Sequence, residues 1–197
     1  MSETTTSPRL GEKFQEALGY AAALHNTQTR KASEVPYVGH LLSVAGLVIE
    51  ADGTEIEAIA GLLHDAAEDQ GGDVTLAEIE ELFGQEVAAI VAECSDTVVT
   101  PKPPWRQRKE NYIRHLDKAS DSTIRVSMAD KLDNARAILR DLRREGPSVW
   151  RRFNTDDPQD HLWYYQSLLK VYRQRSESWL VDELARVIQT LEEEIAG

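Results

Sequence analysis

The sequence contains a single cysteine, Cys94, in 197 residues. A chain with one cysteine forms no intrachain disulfide and cannot supply a thiolate cluster for a metal ion. Cys94 closes the apolar stretch VAAIVAEC, where a free cysteine is typically a small buried residue. We therefore expect Cys94 to belong to the core.

Long apolar runs are also missing. No stretch approaches the roughly 20 apolar residues that cross a bilayer. The first residues, MSETTTSPRL, lack the basic segment and hydrophobic core of a secretory signal. These features predict a soluble, cytoplasmic protein without a membrane partner.

Basic residues are scarce, with 22 Lys and Arg against 34 Asp and Glu, and the formal net charge is −12. Like charges repel the phosphate backbone and anionic headgroups, so broad binding to nucleic acid or membrane is not expected. Small anions remain compatible with this charge. The basic clusters at Arg30-Lys31, residues 104–109, Arg143-Arg144 and Arg151-Arg152 are each, taken alone, typical of solvated surface.

A strand-like alternation of apolar and polar residues is absent, whereas helical periodicity runs along most of the chain. We expect an all-α fold of about eight to ten helices, with a disordered leader at residues 1–8 and one domain over residues 9–197. The predicted helices span residues 11–25, 40–51, 54–70, 75–83, 85–94, 105–118, 122–144, 159–175 and 178–195. The first should turn Phe14, Leu18, Ala21, Ala22 and Leu24 inward, and Thr54-Glu57 and Thr75-Glu78 resemble capping boxes. The chain has no glycine-rich phosphate loop, so a nucleotide would have to be held in another way.

The segment GLLHDAAEDQ, residues 61–70, places His64, Asp65, Glu68 and Asp69 opposite an apolar stripe on a helical wheel. One interpretation is the solvated face of an ordinary helix. The other is a metal site, because the three carboxylates repel one another and no Lys or Arg lies near them in the sequence. A metal held by His64 and Asp65 would leave Glu68 and Asp69, one turn on, within reach of its water.

Further ligands would have to come from distant segments. His40 opens a nearly all-apolar helix, where an unpartnered histidine would be unfavourable. Asp130 and Asn134 lie one turn apart in VSMADKLDN, beside an apolar stripe. A histidine bonded to a nearby carbonyl and a surface aspartate are the alternatives that these two positions leave open.

These segments together resemble the metal-dependent HD superfamily, and more specifically the (p)ppGpp hydrolase domain of the RelA/SpoT family, in its stand-alone small form. The resemblance rests on four ordered matches: Arg30-Lys31, Pro36-Tyr37-Val38-Gly39-His40, His64-Asp65-Ala66-Ala67-Glu68-Asp69 and Ala129-Asp130-Lys131-Leu132-Asp133-Asn134. They span roughly residues 10–145. The fold that the resemblance implies is a single HD-type helical bundle with additional C-terminal helices.

The resemblance also implies roles for individual residues. His40, His64, Asp65 and Asp130 would hold a manganese ion, although iron or zinc would also suit these ligands. Glu68 and Asp69 would orient the attacking water and manage its protons. Arg30, Lys31 and Asn134 would contact the nucleotide, and the reaction would remove the 3′-pyrophosphate of ppGpp or pppGpp.

Alternatives remain beside this hypothesis. Another HD phosphohydrolase, acting on a nucleoside monophosphate, a cyclic dinucleotide, (p)ppApp or NADPH, would share the metal site. A non-catalytic nucleotide sensor or interaction module would need a broken metal set, and this one is intact.

Two basic segments, PWRQRK (residues 104–109) and Arg151-Arg152, would either hold 5′-phosphates or lie in solvent. Four aromatic residues should pack the C-terminal helices: Trp150, Trp163, Tyr164 and Tyr165. The oligomeric state is open.

Overall fold

The computed structural model describes residues 10–31, 33–97 and 101–197. Within these ranges the chain forms nine α-helices and no strand, which confirms the all-α class and the expected number of helices. The leader predicted at residues 1–8 lies outside the described residues. The helices are α1 (Glu12–Leu24), α2 (Val38–Glu50), α3 (Glu55–Leu63), α4 (Asp73–Phe83), α5 (Gln85–Cys94), α6 (Trp105–Leu116), α7 (Asp121–Glu145), α8 (Pro158–Arg175) and α9 (Trp179–Ala196).

Helix α7 is the axis of the bundle. Its 25 residues extend about 37 Å, and it packs against α2, α3, α5, α8 and α9. Of the stripe that the periodicity predicts, Met128, Leu132, Ala135 and Leu142 are buried, whereas Leu139 is only partly buried. Cys94 is also buried, as expected.

Helix α3 is surrounded by α1, α2, α5 and α7, and every residue from Glu57 to Leu63 is buried. The predicted capping box is confirmed, because Thr54 N donates to Glu57 Oε2 (2.7 Å) and Glu57 N donates to Thr54 Oγ1 (3.2 Å). At Gly61 a Cβ atom would lie 3.3 Å from the Cα of Ala45, so the glycine permits close approach of α2 and α3.

The continuous helix predicted through residue 70 is wrong. Helix α3 ends at Leu63, and a π-helical turn follows at Ala67–Gly71. Gly72 closes this turn by donating its N–H to Ala67 O (2.9 Å) from a backbone with φ of 60°. The backbone hydrogen bonding therefore changes from the α-helical to the π-helical pattern between the first and second halves of the motif.

Two further predictions need correction. Helix α4 begins at Asp73 and Thr75 is buried, so the Thr75-Glu78 capping box does not form; Gly72 already turns the chain into the helix. In α1, Ala22 is exposed and the fully buried positions are Ala17 and Ala21, because α1 presents a narrower face to the core than the wheel indicated.

The loop between α1 and α2 is held by backbone hydrogen bonds. Arg30 N donates to Val35 O (2.8 Å), and Tyr37 N donates to Gln28 O (2.9 Å). Helix α2 then starts at Val38, two residues before the predicted position. The loop thus places Arg30 and Tyr37 beside His40, in the first turn of α2.

Candidate metal centre and adjoining cavity

Three helices bring together the four side chains predicted as metal ligands. His40 comes from the first turn of α2, His64 and Asp65 directly follow α3, and Asp130 lies in the middle of α7. His40, His64 and Asp130 are buried, so the solvated surface that the sequence left open for His64, and indicated for Asp130 taken alone, is wrong for both. The physical reason is that α3, which ends just before His64, and α7, which carries Asp130, are each covered by neighbouring helices on several sides.

The geometry of the cluster is compact. His40 Nε2 lies 3.3 Å from Asp130 Oδ1 and 3.6 Å from Asp65 Oδ2. His64 Nε2 lies 3.0 Å from Asp65 Oδ2 and 3.6 Å from Asp130 Oδ1. The two imidazole centroids are 5.1 Å apart. Each of the two nitrogens therefore lies within 3.6 Å of a carboxylate oxygen of Asp65 and of Asp130. His40, His64 and Asp65 form a group whose ligand atoms all lie within 4.8 Å of one another.

The hydrogen bonding of the two imidazoles tests whether a metal ion fits. The Nδ1 atoms are engaged, His64 with Gly61 O (2.9 Å) and His40 with Asp133 Oδ2 (2.7 Å). The buried Nε2 atoms of both rings make no hydrogen bond within the described chain. Because a neutral imidazole with an Nδ1–H keeps a lone pair on Nε2, this donor set fits a borderline or hard divalent ion.

The electrostatics of the cluster favour positive charge. Burial lowers the pKa of both imidazoles, but the surrounding carboxylates outweigh it and raise the pKa of His40 to about 9 and that of His64 well above its usual range. Burial acts to raise the pKa of Asp65 and of Asp130. The charge of His64 nevertheless holds the pKa of Asp65 well below its usual range, and the charge of Lys131 does the same for Asp130. A cation is thus the complement of this site.

The acidic pair lies in the π-helical turn beyond the cluster. Glu68 Oε1 accepts from Lys102 Nζ (2.8 Å) and Glu68 Oε2 accepts from Asp96 N (3.2 Å). Asp69 Oδ2 accepts from Gln28 Nε2 (2.8 Å). The expectation that no basic residue relieves the carboxylates is wrong, because the fold brings Lys102 to Glu68 from another loop.

The pKa of both acids is raised. Burial is the largest cause for each, followed by the charge of Asp96 for Glu68 and that of Asp65 for Asp69. A carboxylate whose pKa lies closer to neutrality is a better proton acceptor near neutral pH.

The three residues predicted to contact a nucleotide also contact protein groups. Arg30 donates to Asn134 Oδ1 (2.9 Å) and to the carboxylate of Asp133, and Asn134 in turn donates to Asp130. Lys31 Nζ donates to Asn154 Oδ1 (3.0 Å). Arg30 and Asn134 therefore support the cluster as well as facing the space beside it.

That space is a cavity of about 280 Å³. Its basic lining consists of Arg30, Lys31, Lys109, Lys131 and Arg152, and Asp141 is the acidic residue among its described walls. Four of these five cations also pair with carboxylates of the chain. In a chain of net charge −12, their concentration around one cavity suits an anionic ligand.

Aromatic side chains form much of the remaining wall: Tyr37, Trp105, Phe153, His161, Tyr164 and Tyr165. Tyr164, Tyr165 and Trp150 are buried and Trp163 partly so, consistent with their predicted packing among the C-terminal helices. Two of these four residues, Tyr164 and Tyr165, also face the cavity. Aromatic faces of this kind can stack on a nucleobase.

The basic residues of 104–109 and of Arg151-Arg152 do not all lie in the same kind of place: some contact other side chains, and others line the cavity. Arg108 forms a buried ion pair with Asp96, and Arg106 stacks on Trp163 with its guanidinium carbon 3.2 Å from a ring centroid. Lys109 and Arg152 reach the cavity. The sequence alone could not separate these positions, because consecutive helical residues point in different directions.

Four residues of the site were assigned no role from the sequence. Tyr37 donates its hydroxyl to Asp65, Asp133 contacts His40, Gln28 contacts Asp69 and Lys102 contacts Glu68. Tyr37 and Asp133 lie inside the motif segments, and this position could have indicated from the sequence that they belong to the site. Gln28 and Lys102 lie outside those segments, so nothing in the sequence pointed to them.

Among the helices of the described residues, none combines the length and hydropathy that a bilayer span requires.

Comparison with known proteins identifies the class. The family model described as HD domain matches residues 17–157. A solved structure described as a metazoan ortholog of SpoT that hydrolyzes ppGpp superimposes with a TM-score of 0.74 at 31% identity, and the match covers 94% of this chain and 97% of that chain.

Two curated relatives are guanosine-3′,5′-bis(diphosphate) 3′-pyrophosphohydrolases named MESH1. The protein from Drosophila melanogaster is 37% identical over 147 residues, covering 73% of this chain and 77% of the relative. The protein from Xenopus tropicalis is 40% identical over 138 residues, covering 68% of this chain and 72% of the relative. The chain therefore belongs to the HD domain family, in which its matched relatives include the MESH1 pyrophosphohydrolases.

Proposed function

We propose that this protein is a metal-dependent hydrolase that removes the 3′-pyrophosphate of ppGpp or pppGpp, giving GDP or GTP and pyrophosphate. The observation that carries the proposal is the pair of buried Nε2 atoms of His40 and His64, which make no hydrogen bond within the described residues and face two carboxylates at the edge of a basic cavity. The MESH1 relatives, which are named for this activity, support the same reaction.

His40, His64, Asp65 and Asp130 would hold the metal, for which we propose Mn²⁺. Their two nitrogens and two oxygens suit this ion, and Fe²⁺ or Zn²⁺ would also be compatible. When bound, a divalent ion supplies Lewis acidity, lowering the pKa of water and offsetting negative charge on phosphate.

Glu68 and Asp69 are the proposed catalytic acids and bases. Water attacks the phosphorus attached to the ribose 3′-oxygen, the bond between that phosphorus and the 3′-oxygen breaks, and pyrophosphate leaves. One carboxylate takes a proton from the attacking water, and the departing 3′-oxygen receives a proton from the carboxyl group of this acidic pair that is then protonated. The raised pKa of both acids supports this role.

The nucleotide would occupy the cavity, with Arg30, Lys31 and Asn134 nearest the reacting end. Lys109 and Arg152 are placed in the same wall and would meet the 5′-phosphates, while the aromatic residues would receive the base. The basic groups converge on this cavity in an acidic protein. This arrangement supports a small nucleotide as the partner rather than nucleic acid, and we propose a cytoplasmic location.

The test is a substrate panel. Manganese-loaded protein is incubated with ppGpp, pppGpp, their adenine analogues and NADPH, and products are resolved by anion-exchange chromatography. We expect pyrophosphate with GDP or GTP. Failure to release pyrophosphate from any of the 3′-pyrophosphorylated nucleotides would contradict the proposal, and phosphate release from NADPH alone would assign another HD phosphohydrolase activity.

Variants separate metal binding from turnover. His64→Ala should lose bound metal and activity together. Glu68→Gln combined with Asp69→Asn should retain metal, while turnover falls by about 10²- to 10⁴-fold. Full activity after exhaustive chelation would exclude the metal from the reaction, and retained turnover in the double variant would remove the acidic pair from it.

A further inference from the structure

The two histidines of the cluster are held by different kinds of acceptor. His64 Nδ1 contacts a backbone carbonyl, that of Gly61, within its own helical segment. His40 Nδ1 contacts a side chain, Asp133 Oδ2, at 2.7 Å across the interface between α2 and α7. The orientation of His40 therefore depends on a residue that can be substituted without changing the backbone.

Asp133 lies three residues after Asp130 on α7, so the same helical face supplies a carboxylate to each nitrogen of His40. The His40 side chain is completely buried and that of Asp133 is 17% exposed. Arg30 Nη2 also lies 3.1 Å from His40 Nδ1, but a guanidinium only donates, so the carboxylate of Asp133 is the group that can accept an Nδ1–H. With the N–H held there, Nε2 is the nitrogen that faces Asp65 and Asp130.

Arg30 holds Asp133 in turn. Its guanidinium donates to Asp133 and, through its other terminal nitrogen, to Asn134, which donates to Asp130. Backbone hydrogen bonds of Arg30 N and Tyr37 N hold the loop, and the guanidinium itself is held by its contacts with Asp133, Asn134 and His40 Nδ1. It neutralises Asp133, whose charge would otherwise add to the neighbouring carboxylates.

We infer that Asp133 is a positioning residue of the metal centre, which acts by orienting His40 and is itself fixed by Arg30. A carboxylate behind a metal-binding histidine sets the ring orientation and raises the basicity of the ligand nitrogen. The inference rests on the proposed metal centre but on no particular substrate. Arg30 accordingly has a task at the metal centre in addition to its place in the cavity wall.

The test measures metal affinity and not turnover. Protein freed of metal is titrated with Mn²⁺ in a calorimeter as wild type, Asp133→Ala and Asp133→Asn. We expect Asp133→Ala to weaken Mn²⁺ binding about 10- to 100-fold. Asp133→Asn should retain part of the affinity, because its amide oxygen is still an acceptor of nearly the same shape. Asp182→Asn, an equivalent change at an exposed position on α9, should bind as the wild type does.

Arg30→Ala gives a second readout. It should weaken Mn²⁺ binding in the wild-type background and weaken it less when Asp133 is already alanine, because the two residues act in series. Thermal unfolding of the metal-free proteins separates positioning from structure: we expect unchanged midpoints in Asp133→Asn.

The outcomes are distinguishable. Mn²⁺ affinity unchanged in both Asp133 variants would overturn this inference and leave the metal centre standing. A loss in affinity matched by an equal loss of stability in metal-free Asp133→Asn would also overturn it, since Asp133 would then be structural. A wild-type protein that binds no divalent ion would overturn the proposed metal centre itself, and this inference with it.

Discussion

The side-chain amide of Gln28 donates a hydrogen bond of 2.8 Å to Oδ2 of Asp69. The amide is oriented by its other end, where Gln28 Oε1 accepts from His25 Nδ1 (2.7 Å) and from Gln70 Nε2 (2.5 Å). The loop after α1 therefore fixes one of the two proposed catalytic carboxylates, 41 residues further along the chain.

Gln28→Ala should lower kcat about 10- to 100-fold with little change in KM. Loss of the hydrogen bond frees the Asp69 carboxylate to rotate, and misplacement of a catalytic group is costly. Gln28 is not among the described residues that line the cavity, so ground-state binding should persist. Steady-state kinetics on ppGpp provide the measurement.

Two controls sharpen this experiment. Gln174→Ala, at an exposed position on α8, should be neutral. In an Asp69→Asn background, Gln28→Ala should add little, because its partner is already inactive. Full additivity of the two changes would show that Gln28 does not act through Asp69.

Lys102→Met should move the acidic limb of the pH–rate profile to higher pH. Burial and the charges of Asp96 and Asp65 raise the pKa of Glu68. Lys102 lowers it, through its hydrogen bond and its charge. Removing the cation raises this pKa further, so a higher pH is needed to ionise Glu68. Lys170→Met, on the exposed side of α8, is the matched control. An unshifted limb would argue against Glu68 as the titrating base.

Cys94 should resist thiol reagents in the native protein. Burial raises the pKa of its thiol well above the usual range, so neither access nor thiolate is available. Labelling with a chromogenic disulfide should be slow until denaturant is added. Gln189→Cys, which places a thiol on the exposed face of α9, should label rapidly under native conditions. Rapid labelling of the wild type would contradict the buried placement of Cys94.

Glu93→Gln should destabilise the fold near pH 7 by on the order of 1 kcal/mol. Glu93 Oε2 accepts from Thr123 Oγ1 (2.5 Å) and from Ser120 N (3.3 Å) at the start of α7. Burial raises the pKa of Glu93, but these hydrogen bonds, with a small contribution from His115, lower it overall.

The sign of the pH dependence follows. A depressed pKa in the folded state adds stability above the unfolded value, about 4.3, and this stability is lost as pH falls through the folded pKa. Urea unfolding from about pH 7 to about pH 3 should show a smaller loss for Glu93→Gln than for the wild type. Glu192→Gln, exposed on α9, should follow the wild type. Parallel curves for Glu93→Gln and the wild type would refute the assignment.

Local signals in the sequence were enough for most of the helices. The Thr54-Glu57 capping box marked the start of α3 because both of its hydrogen bonds form within four residues. The π-helical turn at Ala67–Gly71 was missed because AAEDQ has ordinary helical composition, and the widened turn depends on Gly72 adopting a positive φ in the folded chain.

In the candidate site, too, some features follow from the sequence and others only from the tertiary structure. The sequence by itself determined the residue types that meet at the centre, since two imidazoles and several carboxylates at separated motif positions are already suited to a divalent cation. Only the tertiary structure decided that His64 and Asp130 are buried, that Asp133 backs His40, and that Lys102 and Gln28 reach the acidic pair. The physical reason is range: helical periodicity and capping act over a few residues, whereas these contacts depend on how distant helices pack.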